Sequence, residues 1–313
     1  MAVKPTLKEF SFTQKLMGNT FTITLVTQNH ISAKEQFKIC VGEIQRIEQM
    51  FTTYSNDSET NLVNRNAGLA PVKVSAEFFA LVERCYKISV ITQGAFDISY
   101  GSIDKNLWNF NNKMEKLPTS QEALNSVHLI NYNNILIDRN AGTVFLKYKN
   151  MRIGFGGIGK GYAAEKVKNM MKVNLVSGGL VNASGDIAAW GNQANDKPWT
   201  IGIASPDKTH KAFSYLNISN KAVATSGNYE KYITIQGKKY SHTINPKTGL
   251  PISGIKSVTV IAENAELADA MATPISVMGV EAGLFLINQL PNVHCIIIDD
   301  HDKIFTSNKI NLC

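Results

Sequence analysis

Residues Gly154 to Gly161 read Gly-Phe-Gly-Gly-Ile-Gly-Lys-Gly. Five glycines and one lysine in eight positions offer little to a hydrophobic core. Glycine lets a backbone adopt positive φ and lets another group approach it closely. A run with helical spacing follows, so the loop is expected to open a helix. A helix N-terminus presents free N–H groups and the positive end of the dipole, and a lysine beside it adds a point charge. The stretch therefore points to a phosphate-bearing ligand. A tight strand-to-helix turn with no ligand is the alternative.

Two phosphate-binding fingerprints fit this loop in part. Gly154, Gly156 and Gly159 satisfy G-x-G-x-x-G, and a strand is expected ahead of them within Thr143 to Ile153. A dinucleotide site also needs an acidic residue about 20 positions on, for the ribose. Val173 to Gly179 contains none, and the next carboxylate is Asp186. Gly154, Gly159 and Lys160 satisfy the P-loop up to its last position, where Gly161 replaces the metal-binding Ser or Thr. Neither fingerprint is complete.

The chain has 313 residues, 44% hydrophobic and 18% charged, and can bury a substantial core. It has no apolar run of about 18 residues, so no transmembrane segment is expected. Met1-Ala2-Val3-Lys4-Pro5 lacks the apolar region of a signal peptide. The chain reads as cytoplasmic, or as periplasmic or membrane-attached if an export segment has been removed. The net charge of +7 is compatible with an anionic small ligand. Its basic residues fall in short groups such as Lys166, Lys168 and Lys172, which read as solvated helix faces and not as a nucleic-acid stripe. Cys40, Cys85, Cys295 and Cys313 are far apart, so zinc and disulfide frameworks are not expected. Cys40 and Cys85 read as core, and Cys313 does not complete a prenylation box.

Phe10 to Thr27 reads as a hairpin with Gly18-Asn19 at the turn. Ala33 to Met50 has helical spacing, and Thr52 to Gly68 reads as a polar loop. Ser75 caps a second helix running to Thr92. Short strands are expected between Val127 and Lys147, then the glycine loop with a helix to about Met171, then a strand over Val173 to Val176 before Gly178-Gly179. Strands and turns dominate Trp199 to Val260. Asn264 caps a helix to about Met278, Val280 to Leu290 forms another, and Val293 to Asp299 is a closing strand. Without a regular β-α-β alternation, the fold class is α+β and not a doubly wound sheet.

Four further groups carry candidate chemistry. Asp269 and Thr273 are i, i+4 neighbours among small alanines and offer hard oxygens suited to Mg²⁺. A solvated or capping Asp and a back-bonded Thr form the alternative. Pro274 follows them and is expected to kink the helix. His242, at a strand end in a polar context, could move a proton at neutral pH. Asp97 follows a helix C-terminus, an unfavourable place for an unpaired carboxylate, so it needs a partner: a ligand donor, a lysine or a local N–H. Ala224-Thr225-Ser226-Gly227 reads as a turn with hydroxyls available to phosphate or metal.

Taken in order, these residues resemble the ApbE-type FAD:protein FMN transferases. Leu16-Met17-Gly18 with Thr20 is similar to the family's opening M-G-T strand. Thr53-Tyr54, Ser58-Glu59 and Asn64 resemble its T-Y-x-x-x-S-E-x-x-x-x-N loop, and Gly94-Ala95-Phe96-Asp97 its G-A-F-D. Gly156 to Ala163 resembles G-G-I-A-K-G-Y-A, and Asn182 to Ile187 resembles N-x-G-G-D-I. Ala222 to Gly227 matches A-V-A-T-S-G, Tyr240 to Gly249 resembles Y-S-H-I-I-D-P-x-T-G, and Ala268 to Thr273 matches A-D-A-x-A-T.

The resemblance, which spans residues 10–305, implies a single domain over 1–313 of mixed sheets and packed helices, related to the T-fold, with an FAD cleft between two closely packed lobes. It implies cleavage of FAD at its pyrophosphate, transfer of FMN to a Thr or Ser hydroxyl of an acceptor flavoprotein, and release of AMP. A membrane redox-complex subunit is one candidate acceptor. By the same resemblance, Gly157 (through its carbonyl), Asp269 and Thr273 hold Mg²⁺, and His242 is the base. Met17, Tyr54, Glu59, Ala95, Phe96, Asp97, Gly154 and Lys160 lie on the FAD side. Gly154 departs from the family, which usually has an acidic residue there; Asn245 replaces an Asp and Ser184 a Gly. Hydrolysis of FAD to FMN and AMP, or flavin binding without catalysis, would use the same residues.

Overall fold

The computed structural model describes residues 6–107, 116–204, 212–227, 232–235, 237–308 and 310. The expectations that rest on residues 1–5 and on Cys313 lie outside them. The chain opens with the hairpin β1 (Lys8–Leu16) and β2 (Asn19–Thr27). Its turn is Met17-Gly18, both at positive φ (52° and 70°), the backbone of a two-residue type I′ turn. The turn is therefore one residue earlier than Gly18-Asn19. Asn19 instead opens β2 and closes the turn by donating its side-chain amide to the Met17 carbonyl at 2.8 Å.

Helix α1 (His30–Phe51) buries Cys40, Ile44, Ile47 and Phe51, as the spacing predicts. The loop expected over Thr52 to Gly68 contains a further helix, α2 (Glu59–Arg65), N-capped by Ser58. Hydrophobic periodicity misses it because its buried face is largely polar. Asn61 donates to the Thr53 and Ser55 carbonyls, and Asn64 both donates to and accepts from the Ile153 backbone. Next come β3 (Val72–Lys73), α3 (Ala76–Ile91, capped by Ser75), α4 (Ser120–Val127), β4 (Ile135–Asp138) and β5 (Thr143–Leu146). The three short strands pair antiparallel in the order β3-β5-β4. The strand before the glycine loop thus ends at Leu146 in a small antiparallel sheet, which removes the context a dinucleotide fingerprint requires.

Helix α5 (Gly159–Val173) follows the glycine loop. The strand expected over Val173 to Val176 is absent, and β6 (Gly178–Ala183) begins later. Gly178-Gly179, placed after the expected strand, instead opens β6. Gly179 is cross-strand from Trp190 of β7 (Asp186–Trp190), and a Cβ there would lie 2.2 Å from the indole. The glycine makes room for a buried tryptophan. The remaining elements are β8 (Trp199–Ala204), β9 (Ala212–Ile218), β10 (Ala222–Gly227), β11 (Tyr232–Ile235), β12 (Lys238–Ser241), β13 (Ile255–Ala262), α6 (Ala265–Met278), α7 (Val280–Gln289), β14 (His294–Asp299) and β15 (Ile304–Thr306). Ala224 to Gly227 is therefore strand and not turn, and β14 is followed by an edge strand. Helix α6 continues through Pro274 to Met278.

The main sheet has eight antiparallel strands in the order β1-β2-β6-β7-β10-β13-β14-β15. The period-2 alternation of its strands feeds two cores. Phe21, Ile23, Ala188, Trp190, Ala222, Ala224 and Val260 join the cluster that includes α1, α3, α5 and α6. Val26, Ile187, Val223 and Ile261, one residue out of phase, pack under β8 and β9. The architecture is α+β, as expected. Cys40, Cys85 and Cys295 are buried and free. Among the described residues, no helix is long and apolar enough to cross a membrane.

Helices α5 and α6 approach closely. A Cβ on Gly161 would lie 2.2 Å from the Ala265 carbonyl oxygen and 2.6 Å from Asp269 Cβ. Lys168, read as part of a solvated face, is instead buried in this region; it pairs with Glu165 at 2.8 Å and donates to the Glu263 carbonyl. Gly161→Ala is expected to force the helices apart and to cost about 1–3 kcal/mol in chemical denaturation, the usual range for overpacking. Gly156→Ala, with no atom within 4 Å of the new methyl, should be close to neutral.

Candidate active site

Helix α5 begins without a side-chain cap of its own: Ile158 occupies the N-cap position. The cap comes from α6. Asp269 Oδ2 accepts the Gly161 N–H at 2.9 Å, and the Lys160 backbone also donates to this carboxylate. The expectation that the α5 N-terminus is wholly free for an anionic ligand is therefore corrected; part of it is taken by Asp269. The absence of a Ser or Thr at position 161 now has a steric reason, because only glycine fits between the two helices.

The other Asp269 oxygen, Oδ1, faces the Lys160 ammonium at 3.7 Å. Lys160 makes its closer ion pair with Asp186, the first residue of β7. Ser184 and Gly185, both at positive φ, turn the chain tightly from β6 into β7 just before Asp186. Asp186 shares the strand face of Ala188 and Trp190, which is the face covered by α5 and α6. Both carboxylates are buried. Two carboxylates share one ammonium, so burial raises both above the usual carboxylate range, and Asp269 further raises Asp186. Burial alone would lower Lys160, but the Asp269 and Asp186 charges raise it, so it stays an ammonium.

Thr273 lies one turn beyond Asp269 on α6, and its hydroxyl meets Ser226 Oγ at 3.4 Å. Ser226 lies on β10 in phase with Ala222 and Ala224, facing α6. Asp269, Thr273, Lys160, Asp186 and Ser226 thus converge at one crossing. Motif order alone points to the first three; Ser226 carries only an unassigned hydroxyl in the sequence, and the one local signal for Asp186 is its place in the Asn182–Ile187 turn.

The glycine loop is lined from the other side. Phe96 Cε2 is 3.9 Å from where a Gly157 Cβ would lie, and Met17 Cε is 3.5 Å from the same position on Gly159. Ala95 is half-buried and donates its N–H to the Thr92 carbonyl at 3.0 Å. Asp97 takes the local partners foreseen for it: Ser99 N–H and Oγ–H at 2.8 and 2.6 Å, and Tyr132 N–H at 2.7 Å. Burial raises its pKa against the pull of those donors. Gly154 donates its N–H to the Ile98 carbonyl at 2.9 Å. Tyr54 is 98% exposed. Glu59 accepts the Ser75 N–H and hydroxyl at 2.6 and 2.8 Å, tying α2 to α3. His242 is exposed on the bend after β12. Its loop is docked on the segment after Asp97, where the Ile244 N–H donates to the Tyr100 hydroxyl at 3.2 Å.

Among the described residues, no cluster of three or more His, Cys, Asp or Glu forms a metal cage. The donor set at the crossing is instead one carboxylate oxygen, two hydroxyls and nearby backbone. Hard oxygens with an unneutralised negative charge fit Mg²⁺, which keeps several waters and shares its shell with substrate phosphates.

Residues 17–297 match the sequence pattern of the ApbE family. A Klebsiella pneumoniae (strain 342) protein named FAD:protein FMN transferase is 28% identical over 301 residues, covering 96% of this chain and 92% of its own. One of the same name from Escherichia coli (strain K12) is 30% identical over 240 residues, covering 75% and 68%. The crystal structure of the ApbE protein from Thermotoga maritima matches with a TM-score of 0.85 at 28% identity, covering 96% of this chain and 97% of its own. The apo form of the Pseudomonas stutzeri flavinyl transferase ApbE matches with a TM-score of 0.83 at 25% identity, covering 96% and 94%.

Removing the ammonium alone should be costly at this crossing. Lys160→Met is expected to lose about 3–5 kcal/mol in denaturant titrations, because it leaves two buried carboxylates without an opposite charge. Adding Asp186→Asn should recover part of that loss.

Proposed function

The chain belongs to the ApbE family, and we propose that it is an Mg²⁺-dependent FAD:protein FMN transferase. The observation that carries this reading is the group of oxygens at the start of α5: buried Asp269 and Asp186, which share Lys160, and the half-buried hydroxyls of Thr273 and Ser226, which meet one turn further along α6. The names of the relatives support flavin transfer. The metal, the acceptor hydroxyl and the release of AMP are our extension to this chain.

In this reading Asp269, Thr273 and the Gly157 carbonyl would hold the metal. When bound, Mg²⁺ neutralises charge on the FAD pyrophosphate. Asp269 serves the helix with Oδ2 and leaves Oδ1 for the cation. Asp186 and Asp269 hold the Lys160 ammonium, which would attract the FAD phosphates. Phe96, Met17, Ala95 and Asp97 shape the flavin side. A Thr or Ser hydroxyl of the acceptor attacks the FMN phosphorus, its proton passes to His242, and the phosphoanhydride bond to AMP breaks. The products are a phosphoester-linked FMN and AMP.

Incubation with FAD, Mg²⁺ and an acceptor domain carrying a candidate threonine is expected to give an FMN mass increment and AMP. AMP without labelling would assign FAD hydrolysis, and bound FAD with neither product would overturn both catalytic readings. Asp269→Ala should abolish metal-dependent turnover, and unchanged turnover would remove Asp269 from the metal site. His242→Ala should bind FAD normally yet lose transfer; transfer at the normal rate would mean that another group is the base.

Gly154 offers a second check. The nearest atom to a Cβ there is Thr53 Cγ2 at 3.9 Å, so a side chain fits. Gly154→Asp is expected to tighten FAD binding about tenfold by restoring one hydrogen bond, measured by titration of flavin fluorescence.

A further inference from the structure

A cavity of about 450 Å³ opens beside the entry to the glycine loop. Thr53, Tyr54, Arg65, Leu69, Lys149 and Arg152 lie in its wall, and no carboxylate does. Arg152 precedes Gly154 by two positions, and the Thr53 methyl is the group nearest Gly154. The cavity thus lies next to the start of the loop that leads to the oxygen cluster.

Its two arginines differ from the other three. The chain has five arginines. Arg46, Arg84 and Arg139 each pair with a glutamate: Glu43 and Glu77, Glu266, and Glu83. Arg65 and Arg152 have no carboxylate partner among the described residues, and both line this cavity together with the unpaired Lys149. Arg65 is held by one bond to the Asn56 carbonyl, which leaves further N–H donors for another group. Tyr54 and Leu69, 98% and 72% exposed, add apolar surface beside these cations. Two guanidinium forks next to an exposed aromatic suit carboxylates on a protein surface. The cations are all exposed, whereas Asp186 and Asp269, beside the place assigned to the FAD pyrophosphate, are buried.

We propose that this cavity docks an acidic segment of the acceptor protein, with aspartates or glutamates flanking the target hydroxyl. The inference rests on the transferase reading for the identity of its partner. Arg65 and Arg152 would fix the segment in register, so that the hydroxyl enters along the glycine loop.

The test uses the FAD-loaded chain and a peptide with one threonine flanked by glutamates, labelled with a neutral dye, plus a twin with glutamines in their place. Fluorescence anisotropy at low ionic strength is expected to show the glutamate peptide binding about tenfold tighter, with the preference fading as salt is added. The Arg65→Gln/Arg152→Gln variant should lose the preference while its FAD affinity stays unchanged. Equal binding of the two peptides to the wild-type chain, or a preference that survives in the double variant, would overturn the proposal. So would displacement of the peptide by inorganic phosphate at concentrations too low to screen charge, which would assign the cavity to a free anion. Binding is read without transfer, so a glutamate peptide that binds through these arginines but gains no FMN would support the docking site and count against the transferase.

Discussion

The crossing of α5 and α6 depends on the two oxygens of one carboxylate. Asp269 Oδ2 satisfies an N–H at the start of α5 that no local side chain caps, and Oδ1 turns toward Lys160. A helix end left unsatisfied in a buried setting is costly, and so is a buried carboxylate without donors. Each removes the other's penalty. Because the bond joins residues 108 positions apart in sequence, it fixes the glycine loop relative to the main sheet as well as closing a helix end.

Small residues make this geometry reachable. Gly161 allows the helices to touch, and Ala222, Ala224 and Ala268 let α6 settle on the sheet. Strand alternation then places Asp186 and Ser226 on the covered face, under α5 and α6. The result is a set of oxygens with one charge more than Lys160 can neutralise. That imbalance is tolerable beside a bound cation and unfavourable without one, which connects the packing of the crossing to the chemistry proposed for it.

Much of the fold was legible because its helices carry ordinary signals. Ser75 and Asn264 are legible caps, and apolar periodicity follows each of them, whereas the first helix begins three residues before the expected Ala33, at His30, behind an Asn29 cap. Helix α2 was not legible, since Val63 is the one aliphatic side chain it buries and the rest of its covered face is Thr60, Asn61 and Asn64. Gly178-Gly179 was not legible as strand because the tryptophan that requires Gly179 is cross-strand, beyond local reading. The glycine loop was legible as a close approach, but the group that approaches first proved to be the neighbouring helix. Asp269, Thr273 and Lys160 could be named from motif order, whereas Asp186 needed the strand face to be known. The docked conformation of the His242 loop depends on Tyr100, distant in sequence and without a local signal.

The most direct test is a crystal of the chain with FAD and Mn²⁺ in place of Mg²⁺, measured at the manganese absorption edge. The account predicts an anomalous peak bonded to Asp269 Oδ1 and the Thr273 hydroxyl, beside the FAD pyrophosphate, with Oδ2 still accepting the Gly161 N–H. A pyrophosphate bound away from the start of α5, with no manganese at Asp269 and the Lys160 pairs unchanged, would contradict it.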